Sequence, residues 1–241
     1  MLYKTRGIVL HQINYSESSI IARIYTEQLG LQSYIIKGAR SRKSAVKAKT
    51  IQPLALLEMI VYKKEKSALQ TIKELRNTYP QSSIAFDVHK SSIALFINEI
   101  LYKCIREEEA DSSLFEFIHN SIHILDLKTA NYANFHLLFL IKLSKYLGFS
   151  PRDNYTIENN YFDLREGSFK NVPPAHNYFM SFPLSEYLHR LISLNFDSID
   201  ELKISTRERR ELLQKLIEYY ELHIARLSDI KSHHVLESVI G

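Results

Sequence analysis

The chain has 241 residues, 45% hydrophobic and 24% charged, enough for one large globular domain or two small ones with a substantial core. Its one cysteine, Cys104, excludes an intrachain disulfide and a thiolate zinc cluster, and the longest apolar run, around 137–141, is far too short to cross a membrane. Net charge is only +4, yet six cations (Lys37, Arg40, Arg42, Lys43, Lys47 and Lys49) fall within residues 37–49, and no Asp or Glu occurs between Glu27 and Glu58. Without those six the chain would be acidic, so its basicity is a local patch of the kind that meets a polyanion. Charge alone leaves two readings, nucleic-acid contact or a solvated loop. The opening M-L-Y-K-T-R-G-I-V-L lacks the apolar core and small-residue cleavage site of a signal peptide, so the cytoplasm is the expected compartment.

Taken in order, residues 1 to about 76 read as strands. Segments 5–11, 20–26 and 31–36 alternate, and the second and third are joined by the turn Glu27-Gln28-Leu29-Gly30, in which Gly30 supplies a positive φ. After the basic stretch comes an apolar strand over 54–62, with Ala55, Leu57, Met59 and Val61 on one face. The charged turn Lys63-Lys64-Glu65-Lys66 leads into a fifth strand over 68–76. Five short strands with a long excursion between the third and fourth fit a five-stranded Greek-key barrel of the OB type. Such barrels bind single strands by pairing a cationic groove with aromatic platforms. Tyr25, Tyr34 and Tyr62 are the candidate platforms, although each is equally suited to packing in a strand.

The period changes at Asn77-Thr78-Tyr79-Pro80, which marks a boundary between a domain over 1–79 and a helical domain over 80–241. Ile93, Phe96, Ile97, Ile100, Leu101 and Cys104 form one helical stripe, and Glu107-Glu108-Glu109 ends that helix in a solvated turn. Cys104 reads as a small core residue. Asp111 or Ser112 caps a second helix carrying Leu114, Phe117, Ile118 and Ile122. A third, over 132–147, is apolar nearly all round and belongs at the centre of a bundle, with Gly148 as its cap and Pro151 beyond. Residues 152–181 lose the helical period and read as an irregular insert with a hairpin turning at Arg165-Glu166-Gly167. Helical spacing resumes near Ser185 and again near Ser198. A last long helix starts near Thr206 and runs through Leu227. The fold class is α+β, an OB-type barrel followed by helices.

The motif inventory points to no enzyme. Phosphate-loop, dinucleotide, zinc-protease and nucleophile-elbow patterns are missing, and six glycines leave little for a nucleotide cradle. His119 and His123 at i, i+4 have no third ligand at motif spacing and read as helix-surface histidines. His233 and His234 are adjacent and so expected to splay apart. An enzyme site in the insert, using Asp153, Glu158, Asp163 or His176, has no spacing to support it. No cofactor and no metal is expected.

Several segments, in order, resemble the RecO family of recombination mediators. They are T-R-G-I-V-L (5–10), Y-S-E-S-S-I-I (15–21), T-E-Q-L-G (26–30), K-G-A-R-S-R-K-S (37–44), Y-L-G-F-S-P-R (146–152), F-P-L-S (182–185), and the Y-Y-E-L-H-I and I-K-S-H-H-V-L pieces near the end. The resemblance implies an OB barrel followed by a helical domain. It also implies binding of single- and double-stranded DNA, and annealing of strands coated by single-strand-binding protein. The implied partners are RecR, the C-terminal tail of single-strand-binding protein and, indirectly, RecA. No membrane is involved, and the place is the cytoplasm at the nucleoid. The K-G-A-R-S-R-K match makes Lys37, Arg40, Arg42 and Lys43 DNA contacts, and Lys47 and Lys49 join them on charge. Many family members carry a four-cysteine zinc ribbon after the G-F-x-P-R match. Residues 153–182 hold no cysteine, so a metal-free hairpin is expected in its place. An OB-fold RNA-binding protein is the alternative, separable only by a preference for the ribose 2′-hydroxyl.

Overall fold

The computed structural model describes residues 1–39, 50–65, 67–106, 109–225, 227 and 229–240. The chain forms two compact units, Met1–Phe86 with Asn98–Asp126, and Asp87–Ile97 with Leu127–Gly241.

In the first unit, strands β1 (Leu2–Asn14), β2 (Ile20–Thr26), β3 (Gly30–Ile36), β4 (Leu56–Tyr62) and β5 (Leu69–Tyr79) close a barrel in the order β1-β2-β3-β5-β4. This is the OB-type arrangement expected above. All pairings are antiparallel except β3 with β5, where Ser33 lies opposite Leu69. The long β1 pairs with both β2 and β4, and a register shift between Val9 and His11 lets it bend around the barrel. Gly7 sits where the three strands crowd. A Cβ there would stand 2.7 Å from both Ile24 Cγ2 and Met59 Cε. Alternation delivers Val9, Ala22, Ile24, Tyr34, Leu57, Met59 and Val61 to one core, each large side chain contributing about 1.5–3 kcal/mol by leaving water. Gly30 takes φ 63°, and Thr26 Oγ1 braces the turn by donating to the Gly30 carbonyl (2.8 Å) and accepting from Leu29 N–H (3.1 Å). β4 begins two residues later than its pattern suggests, because Leu54 adopts φ 61° and donates its N–H to the Val9 carbonyl.

Helix α1 (Val88–Cys104) is shared between the units along its length, and α2 (Ser112–Leu127) packs on the barrel. Asp111 caps α2 by accepting from Leu114 N–H (2.9 Å). Phe115, Ile118, Ile122 and Leu125 are buried, and Arg6 of β1 reaches both Glu27 and Glu116. At the far end Asp126 accepts the backbone N–H groups of Ser82, Ser83 and Ile84 at 2.8–2.9 Å. The period change at Pro80 does mark the end of β5, but it is not the edge of a compact unit. Residues 98–126 belong with the barrel. Helical spacing reveals a buried face without saying what the face is buried against.

The second unit holds α3 (Phe135–Tyr146), α4 (Leu184–Ser193), α5 (Thr206–His223) and α6 (Ser232–Val239), with a short 3-10 turn at Ile199–Glu201. α3 is buried over nearly its whole surface, and Tyr220 of α5 donates its hydroxyl to the Leu140 carbonyl (2.6 Å). α5 starts at a capping box built from Ser205 and Glu208. It stops at His223, four residues before the expected end, and α6 is an additional helix. The insert contains the expected hairpin, β6 (Tyr161–Asp163) and β7 (Ser168–Lys170). A further strand, β8 (Phe179–Met180), pairs on the other side of β6. Asn154 covers the outer edge of β7 by both accepting from Phe169 N–H (2.9 Å) and donating to its carbonyl (3.0 Å). Phe162, Leu164, Phe169 and Met180 are fully buried, with the ring of Tyr219 5.7 Å from that of Phe162. Apolar packing thus holds together a segment that has no thiolates. No described helix is long and apolar enough to cross a membrane.

Candidate nucleic-acid interface

β3 runs out of the barrel into Lys37, which is exposed, followed by Gly38 at φ 71°. The other proposed phosphate contacts, Arg40, Arg42, Lys43, Lys47 and Lys49, lie outside the described residues. The three tyrosines separate. Tyr34 is 0% exposed, one of the inward residues of β3, and burial pushes its phenol well above the usual range. Tyr25 is 1% exposed although it alternates with the inward residues of β2. Helix α2 covers its face, its ring lies 6.1 Å from Phe115, and its hydroxyl donates to the Asp111 carbonyl (3.2 Å). Neither can stack a base. Tyr62, at the end of β4, is 42% exposed and keeps an accessible ring. Tyr15, in the β1–β2 loop, is 59% exposed and was not singled out by its sequence context.

On the outer face of β2 and β3 lies a recess of about 320 Å³. Arg23 and Ser33 line it from neighbouring strands, where they are cross-strand partners, and Lys63 and Lys64 line it from the β4–β5 turn. Arg106, just beyond α1, and one carboxylate, Glu65, are its other charged groups among the described residues. The turn is held from beneath. Buried Gln70 accepts Lys64 N–H (2.8 Å) and donates to the carbonyls of Lys64 (3.1 Å) and Ser67 (2.6 Å). Arg23 has its guanidinium 5.2 Å from the centre of the Tyr102 ring, on which His11 stacks at 4.6 Å. Burial, then the charge of Arg23, lowers the His11 pKa, which keeps that ring neutral at pH 7.

Several other described cations are held in ion pairs. Arg6 meets Glu27 and Glu116, Arg76 meets Glu58, and Lys103 meets Glu99. Arg207, Lys215 and Lys231 meet Glu211, Glu218 and Asp229. Arg23, Lys63 and Lys64 make no ion pair among the described residues. In an OB barrel the face of strands 2 and 3, with the β1–β2 and β4–β5 loops, is where oligonucleotides lie. In the sequence Lys63 and Lys64 form only a charged turn. Their neighbourhood with Arg23 follows from the parallel pairing of β5 with β3, which no local pattern announces.

Other positions read differently in the folded chain. His119 and His123 are half-buried rather than surface residues, their rings 4.7 Å apart and packed on Phe115 and Tyr79 respectively. Burial lowers both pKa values. His233 and His234 do not splay apart: their ring centres are 3.9 Å apart on α6. Arg207, Arg209 and Arg210 look ill-placed at a helix N-terminus, but each has a structural bond. Arg209 donates to Asn134 Oδ1 (2.8 Å), Arg210 to the Glu237 carbonyl (2.9 Å), and Arg207 pairs with Glu211. Lys142 and Arg190 likewise donate to the carbonyls of Ile192 and Glu201. No group of three or more His, Cys, Asp or Glu among the described residues is arranged to hold a metal ion.

Residues 1–80 match the family model described as Recombination protein O N terminal, and residues 85–233 match Recombination protein O C terminal. The chain belongs to the RecO family. It is similar over its full length to proteins named DNA repair protein RecO. It is 37% identical over 241 residues to that of Phocaeicola vulgatus, with all of both chains covered. The identity is 35% over 239 residues, with 99% of both covered, for Azobacteroides pseudotrichonymphae, and 38% over 246 residues, with both fully covered, for Flavobacterium psychrophilum. These matches make the chain a member of a DNA repair family and agree with the OB-type barrel at its N-terminus.

Proposed function

We propose that the chain is a non-catalytic recombination mediator. It binds single- and double-stranded DNA, anneals complementary strands coated by single-strand-binding protein and, with RecR, assists RecA loading. The observation that carries this reading is the concentration of cations on the barrel of a RecO-family chain, with Lys37 opening the basic run and uncompensated charge on the β2–β3 face. Cations that neutralise phosphates on two strands lower their mutual repulsion and leave the bases free to pair. No nucleotide is hydrolysed and no cofactor is needed. Binding is nearly independent of sequence, because Lys and Arg at phosphates position a strand without reading it. The place of action is the cytoplasm, at the nucleoid. Capture of the acidic tail of single-strand-binding protein belongs to the helical unit, where Lys145 is exposed while Lys142, Arg190, Arg209 and Arg210 are tied to partners within the unit.

The test is annealing of complementary strands pre-coated with single-strand-binding protein, without nucleotide, across a salt series. Up to six contacts from the basic run give a log–log slope of about −4 on single strands. Wild type should anneal, and the Arg40→Ala/Arg42→Ala/Lys43→Ala variant should lose annealing. Annealing retained by the variant would keep the function and move its site. No annealing by wild type, together with tighter binding of an RNA strand than of the same DNA strand, would favour an RNA-binding protein instead.

A further inference from the structure

We propose that the groove over the middle of α5, walled by the start of α4 and by α6, docks a basic amphipathic helix of a protein partner. The groove lies wholly within the second unit. The inference stands independently of the DNA-binding reading above.

The sequence of α5 sets the character of the groove. Glu211, Gln214, Glu218 and Glu221 recur at spacings of three and four, so they share one face of the helix. From the first to the last of them is about 15 Å, or roughly three turns. Leu212, Leu213, Leu216 and Tyr220 fall on the buried side. Between the two faces Ile217 is 8% exposed and, with Leu184 of α4, gives the groove an apolar floor. His233 lines it from α6, and the volume is about 450 Å³.

Charge selects the class of occupant. Among the described lining residues three carboxylates stand against one lysine, Lys215, in a chain whose net charge is +4. Such a rim repels DNA and acidic peptides and draws a cationic segment. Lys215 pairs with Glu218, and Arg207 with Glu211. Both pairs join side chains within one turn of a solvated helix face, where ion pairs are weak. Glu221 is exposed and makes no ion pair among the described residues. An incoming Lys or Arg therefore meets one unpaired carboxylate and two whose present partners are readily exchanged.

Apolar surface selects the form of the occupant. Phe182, two residues before Leu184, is 68% exposed. Leu222, next to Glu221, is 39% exposed, and Val235, two residues after His233, is 44% exposed. Large apolar side chains left in water beside a groove mark a surface that a partner covers. A helix laid there sets apolar anchors at i, i+3, i+4 and i+7 over Ile217 and Leu184 and turns its cationic flanks to the glutamates.

The experiment is fluorescence anisotropy at low salt with a labelled helical peptide of about 14 residues, leucines at i, i+3, i+4 and i+7 and lysines between them. Two control peptides replace every Lys by Glu, or every Leu by Ser. Wild type is expected to bind the basic amphipathic peptide one to one and each control at least about tenfold more weakly. Glu218→Lys/Glu221→Lys should lose about tenfold for the basic peptide and gain affinity for the acidic one. Glu221→Lys alone, at an exposed helix position, should move both affinities in the same directions with an unchanged circular dichroism spectrum. No binding by wild type, equal binding by wild type and double variant, or equal binding of basic and acidic peptides would each overturn the proposal. A wild-type dimer in sedimentation that the double variant loses would assign the groove to a second copy of the chain and overturn it as well. Failure to anneal coated strands, with peptide binding intact, would remove the mediator reading and leave the groove.

Discussion

Asp126 is the residue whose removal should cost the barrel unit most for the fewest atoms changed. Its carboxylate is 2% exposed and accepts from the N–H groups of Ser82 (2.9 Å), Ser83 (2.8 Å) and Ile84 (2.9 Å) and from the Tyr79 hydroxyl (2.9 Å). Burial alone would raise its pKa, but these donors outweigh burial and hold it well below its ordinary value of 3.8. Asp126→Ala strands several buried donors at once. With about 1–3 kcal/mol per unsatisfied group and partial relief by water, the expected loss is about 3–5 kcal/mol. Asp126→Asn keeps one acceptor and turns an NH₂ toward donors, for about 2–3 kcal/mol.

The assay is urea unfolding followed by far-ultraviolet circular dichroism, since the chain has no tryptophan. With m of about 1–3 kcal/mol/M, a loss of 3 kcal/mol or more moves the midpoint of the barrel unit by at least about 1 M. The pH dependence is an independent check. Because the folded pKa lies below the unfolded one, the unfolded chain binds the extra proton, and stability rises with pH. The carboxylate's contribution is therefore complete above about pH 4 and fades as pH falls below it toward the folded value. Asp126→Asn should flatten that acid limb. A midpoint shift below 0.3 M in Asp126→Ala, with an acid limb unchanged in Asp126→Asn, would refute the reasoning.

Three further outcomes follow from particular contacts. Gly7→Ala forces a methyl to within 2.7 Å of Ile24 and Met59, and should destabilise the barrel unit by about 1–3 kcal/mol in the same urea assay. Ser205→Ala removes one half of the α5 capping box and should cost about 1 kcal/mol, read as a lower thermal midpoint of the helical unit. Burial pushes the Cys104 thiol up to about 12, overcoming the nearby charges of Arg106 and Lys103. Iodoacetamide at pH 8 should therefore label the native protein far more slowly than the urea-unfolded chain, and equal rates would place Cys104 in solvent.

Local chemistry determined a good deal. Alternation, and the glycine at position 30, place β2 and β3 to within a residue, and the stripes from Ile93 to Leu101 and from Leu212 to Tyr220 locate α1 and α5, because period and turn propensity act over a few residues. The basic run and the family resemblance are equally properties of the chain as written. What only the tertiary structure decided is which surface covers which. Tyr25 alternates with the inward residues of β2 and would be an exposed ring on an isolated barrel, but α2 buries it. Arg209 and Arg210 look mismatched at a helix N-terminus until Asn134 and Glu237 are brought to them. Lys63 and Lys64 come to line one recess with Arg23 only because β5 returns parallel to β3. Each depends on pairing residues far apart in the chain, whose free energy comes from burial and charge compensation that no short window of sequence contains.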